Sequence, residues 1–101
     1  MEDQLRSGFD LNLPVELVRV NRPPAQYYCQ TKHIGSKRVV LNVPIFGAIG
    51  DAVEFIIKLP VQVGIVPVQI RCFGIILRHG KDEVEVNISR YSFERLAVAQ
   101  N

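Results

Sequence analysis

Apolar residues spaced two apart recur in segment after segment of this chain, and prolines and glycines separate the segments. The pattern is clearest in AVEFIIKLP, where Val53, Phe55, Ile57 and Leu59 fall on one face against Glu54, Ile56 and Lys58 on the other. A period of two belongs to a half-buried strand, because successive side chains point to opposite faces of a pleated backbone. LNLPVELVRV repeats the pattern with Leu11, Leu13, Val15 and Leu17, and Pro14 confines that strand to its start or to an edge. Further strands are expected from about Gln26 to Lys32, from Arg38 to Val43, and from Val68 to Arg78. The last of these is apolar on both faces in part. A hairpin turn at His79 to Asp82 leads into EVEVNIS, with Val84, Val86 and Ile88 inward.

Six strands with no helix between them predict an all-β fold, a six-stranded antiparallel barrel, since closure removes exposed edges. At the end the spacing changes. Tyr91, Leu96 and Ala99 with Phe93 and Ala97 suit a short C-terminal helix capped by Ser92. Pro60 to Pro67 reads as a loop, and Ile45 to Ile49 as a connection docked on the core. Residues 1–8 read as a flexible lead-in docked by Phe9 and Leu11, and 9–101 as a single barrel domain.

With 101 residues, 48% of them hydrophobic, the chain fits one core and no second domain. A formal charge of +2 falls short of a general nucleic-acid binder. The charges are segregated: Arg19, Arg22, Lys32, Lys37 and Arg38 lie between Leu17 and Gly50, where Asp and Glu are absent. That segregation predicts one electropositive side. The N-terminus does not resemble a secretory signal, and no window is apolar enough to span a membrane, so a soluble, cytoplasmic protein is expected. Cys29 and Cys72 are expected to act as small apolar residues.

The polar turn in QTKHIGSKRVVLNV interrupts two strands with Lys32, His33, Lys37 and Arg38 around Gly35 and Ser36, which makes it a candidate anion site. Catalysis finds no support. Ser36, Ser89 and Ser92 lack a nucleophile context, and Glu83 with Glu85 reads as a solubilising pair on a strand's outer face. Cys29 and His33 on one extended strand stand roughly 13 Å apart, too far to share a metal ion. No metal or other cofactor is therefore expected, and an enzyme is not. Oligonucleotide binding ranks behind: of the adjacent Tyr27 and Tyr28, only one can be displayed beside the basic run.

The segments FDLNLPVEL, T-x-H-I-G, GDAVEFIIKLP, VQIRCFGIILR and VEVNISRYSFE, taken with their order and spacing, resemble a bacterial PilZ domain from about Phe9 to Arg95. The resemblance implies a six-stranded barrel with a C-terminal helix and cyclic di-GMP as ligand, held by an R-x-x-x-R segment before the first strand and a D/N-x-S-x-x-G turn after the second. Arginine forks grip phosphates and guanine edges bidentately, which is why the motif needs them. Here Gln4 and Gly8 fall at the two arginine positions and Arg6 is out of register. His33, Gly35 and Arg38 fall at the Asp/Asn, Ser and Gly positions. The expectation is a PilZ-like domain of the signalling type whose cyclic di-GMP binding is lost or much weakened and which acts through a protein partner. The alternative keeps a phosphate ligand at a basic site made of Arg6, His33, Ser36, Lys37 and Arg38; a single-stranded nucleic-acid barrel comes after that.

Overall fold

In a computed structural model that describes residues 8–20, 27–44, 47–64 and 66–95, the chain forms β1 (Pro14–Val20), β2 (Tyr27–Ile34), β3 (Arg38–Asn42), β4 (Ala52–Val63), β5 (Val66–Gly80) and β6 (Glu83–Arg95). All pairs are antiparallel, and the strands close into a barrel in the order β1-β2-β3-β6-β5-β4. The expected barrel is therefore present.

The period of two decides what is inside. Val15, Leu17, Val39, Leu41, Val53, Phe55, Ile57, Cys72, Ile76, Val84 and Val86 are all buried, with Phe55 the largest fully enclosed side chain. Desolvation raises the Cys72 thiol to about 12 and the Cys29 thiol to about 11, so both remain protonated and unreactive at neutral pH.

Three expectations change. The stretch from Pro60 to Pro67 is strand rather than loop on either side of a turn at Gly64, and a register shift between Lys58 and Gln62 accommodates Pro60. Tyr91 to Arg95 continues β6 instead of starting a helix, because each residue pairs with β5: Tyr91 faces Cys72, Phe93 faces Ile70 and Arg95 faces Val68. Residues 96–101, the rest of the expected helix, lie outside the described residues. Of the connection expected to dock on the core, Ile49 is 64% exposed, and Ile45 and Phe46 lie outside the described residues.

Strand lengths are unequal, and this shapes the molecule. β3 has 5 residues and β5 has 15, so β5 and β6 overrun the short strands that complete the barrel. The molecule is accordingly elongated, with extents of 47 × 35 × 21 Å.

Candidate functional site

The segment preceding β1 crosses the barrel beside β2 and is fastened by backbone groups. Phe9 and Ile34 exchange N–H···O bonds of 2.8 Å in both directions. Thr31, fully buried, donates its hydroxyl to Leu11 O and accepts from Leu13 N–H at 2.9 Å, while its own N–H donates to Leu13 O. The Phe9 and Leu11 side chains, expected to dock this segment, are instead 70% and 45% exposed. Hydrogen bonds to Ile34 and Thr31 fasten the strap, and of its apolar side chains only Leu13 packs against the core.

Gly8 is the residue that lets the strap lie so close. Its φ is +105°, and a Cβ placed there would meet Ile34 O at 2.1 Å and Gly35 Cα at 2.6 Å. No L side chain fits that position without moving the strap.

Strap, β2, β3 and the start of β6 enclose an open polar cleft of about 540 Å³, lined by Asp10, Asn12, Lys32, His33, Val40, Asn42 and Glu83. A bulge between Thr31 and His33 opposite β3 places Lys32 and His33 together on the outer face. Both are paired: His33 Nδ1 lies 2.8 Å from Asp10 Oδ1, and Lys32 Nζ donates to Glu83 Oε1 at 2.6 Å, which raises the Lys32 pKa.

The candidate anion-site residues are not brought together. His33 faces the polar cleft, whereas Ser36 lines a separate apolar cavity on the far side of the turn. Arg38 turns along the outer face of β3 and donates to Glu85 at 2.9 Å, and Arg78 donates to the same carboxylate. Lys37 is exposed, with its carbonyl accepting from Ile88 N–H. Arg6 lies outside the described residues.

Glu85 is a correction to the sequence reading, since its side chain is only 9% exposed and is no solubilising group. Burial pushes its carboxyl up, but the hydrogen bonds and charges of Arg38 and Arg78 outweigh that and hold it below its ordinary value. A second ladder crosses the outer face of β4, β5 and β6, where Arg71 donates to Glu54 at 2.7 Å and to Glu94 at 2.8 Å. Arg19 lies 3.8 Å from Glu54.

Of the cations expected to make one side electropositive, Arg19, Lys32 and Arg38 each stand beside a carboxylate, Lys37 has none among the described residues, and Arg22 lies outside them. These three cations from the acid-free stretch meet carboxylates from outside it because closure puts β3 beside β6 and β1 beside β4. Chemically, the cleft offers paired charges and amides, and no arginine lines it among the described residues. No group of three or more His, Cys, Asp or Glu that could hold a metal ion occurs among the described residues. His79, at the start of the expected hairpin turn, is half-buried at the β5 end with its Nε2 enclosed and without a hydrogen-bond partner among the described residues.

Sequence reasoning missed Gly8, Thr31 and Glu85. Only the alternation of Val84, Glu85 and Val86 was legible, and it gave Glu85 an outward direction without revealing the two arginines that cover it. It also missed Tyr91 and Phe93, exposed on the extension of β6, although Tyr91-Ser92-Phe93-Glu94 carries a period of two. No described helix is long and apolar enough to cross a membrane. Comparison of the chain with protein-family models, with curated proteins and with solved structures finds no match.

Proposed function

We propose that this chain is a non-enzymatic, PilZ-like signalling barrel of the cytoplasm that has given up cyclic di-GMP binding and works through contacts with another protein. The observation that carries this reading is Gly8. It stands where the PilZ pattern needs its second arginine, and the strap passes so close to Ile34 O that a side chain there is sterically excluded.

Two further observations support it. Arg38, at the pattern's glycine position, is engaged by Glu85, and His33, at its acidic position, is engaged by Asp10. A phosphate would have to compete with carboxylates already in place. Losing two bidentate arginines, at about 1.5–3 kcal/mol for each charged contact, weakens a micromolar ligand by roughly a hundredfold or more.

Calorimetric titration of cyclic di-GMP into the full chain tests the reading. No saturable heat in the low-micromolar range is expected, and saturable binding there would overturn it.

A further inference from the structure

Among the described residues, the overrun of β5 and β6 leaves one part of the barrel's inner sheet face uncovered. A bulge at Ser89, between the Gly74–Ile88 and Phe73–Arg90 pairs, resets the phase of β6. Tyr91 and Phe93 therefore lie on the core side, opposite Cys72 and Ile70, yet beyond the short strands that would cover them. They are 58% and 64% exposed and meet edge to face, with ring centroids 6.1 Å apart. With Ile70, Cys72, Ile88 and Ser36 they line an apolar cavity of about 200 Å³, room enough for one aliphatic side chain.

Among the described residues, the unpaired charge around this face has one sign. Lys37 stands at the rim, bonded through its carbonyl to Ile88 N–H, and Arg95 follows Phe93 by two residues on the same strand face. Both are exposed, and neither has a carboxylate partner among the described residues. No described Asp or Glu lines the cavity, and Glu94 points the other way, to Arg71. A second copy of the chain would present the same two cations, which disfavours self-association here.

We propose that this face docks a short acidic segment of a partner protein, which inserts one aliphatic side chain between Tyr91, Phe93 and Ile70 and sets flanking carboxylates against Lys37 and Arg95. The proposal rests on the protein-contact reading and gives it a place and a chemistry. An aromatic-lined pocket with a cationic rim supplies an anchor and a charge filter together.

The test is selection of a displayed random twelve-residue peptide library against the folded full chain, followed by affinity measurements on the enriched peptides. Enriched sequences are expected to carry Leu, Ile or Val flanked by Asp and Glu. Their affinity should fall tenfold or more in the Tyr91→Ser, Phe93→Ser double variant, and by a similar factor in Lys37→Glu, Arg95→Glu. Both pairs are exposed, so an unchanged melting temperature confirms that the fold is intact.

Neutral or basic winners, no enrichment, or affinities unmoved by either double variant would overturn the proposal. So would a tenfold gain on deleting Leu96–Asn101, which would assign the face to the chain's own end. A dimer in sedimentation that Phe93→Ser dissolves would assign it to a second copy. If acidic peptides map elsewhere while cyclic di-GMP stays silent, the docking face falls and the protein-contact reading stands; if cyclic di-GMP binds tightly, that reading falls whatever the peptides do.

Discussion

On β2 and β3, beside the strap, cations face carboxylates: Lys32 faces Glu83, His33 faces Asp10, and Arg38 shares Glu85 with Arg78. Along the overrunning ends of β5 and β6 the arrangement inverts, with Tyr91 and Phe93 uncovered and Lys37 and Arg95 unpaired among the described residues. The two regions show that a basic stretch of sequence and a surface available to a ligand are different things. Barrel closure paired Lys32, His33 and Arg38 of the first with carboxylates, and unequal strand lengths created the second. Exposed ion pairs contribute only about 0–1 kcal/mol each, so the pairing matters more for what it denies a ligand than for stability.

The strongest way to break this contrast is to disturb the phase of β6. A Cβ on Gly74 would meet Asn87 O at 2.3 Å, so Gly74→Val must push β5 and β6 apart beside the bulge. Overpacking of this kind should cost about 3 kcal/mol, read as a lower urea midpoint. It should also abolish peptide binding at the Tyr91–Phe93 face; a variant of wild-type stability would refute the close approach.

Placing an arginine at position 8, where the PilZ pattern carries one, sharpens the other side. Gly8→Arg combines a left-handed backbone with overlap on Ile34 O and is expected to destabilise the chain by about 2 kcal/mol without creating cyclic di-GMP affinity. A stable variant that gained low-micromolar binding would show that the strap yields readily.

Glu85→Gln should cost about 1 kcal/mol at neutral pH through weaker bonds to Arg38 and Arg78. The folded-state pKa of Glu85 is depressed, so its contribution is complete above the ordinary value of 4.5 and is lost as pH falls through the lower folded value. The wild-type advantage over Glu85→Gln should therefore shrink below about pH 4.5 in urea unfolding series. An advantage that grew toward acid would contradict the assignment.

The smallest effect falls on the open face. Tyr91→Ser with Phe93→Ser should shift stability by under about 0.5 kcal/mol per site, since neither ring is buried. A larger loss by thermal melting would mean that the rings hold the fold together and are not held ready for a partner.

Much of the fold was legible in the sequence because one periodicity governs it. Val53, Phe55 and Ile57 lie inside as their alternation requires, and so do Val84 and Val86. What failed was set by pairing across the sheet. Prolines at 60 and 67 signalled a loop, yet a register shift absorbs the first and the second lies at the start of β5. Tyr91 and Phe93 fit a helix as readily as a strand until β5 proved long enough to pair with them. In the candidate site, the turn and its charged residues were visible, but their partners were not, because Glu83 and Glu85 are more than forty residues away from Lys32 and Arg38 in sequence.

The most direct test of the central claim is an amide-resolved NMR titration of the full chain with cyclic di-GMP carried to millimolar concentration. The account predicts no saturating shifts at Gly8, Phe9, Ile34 or the Gly35–Arg38 turn. Shifts that saturate together at those amides in the low-micromolar range would contradict it.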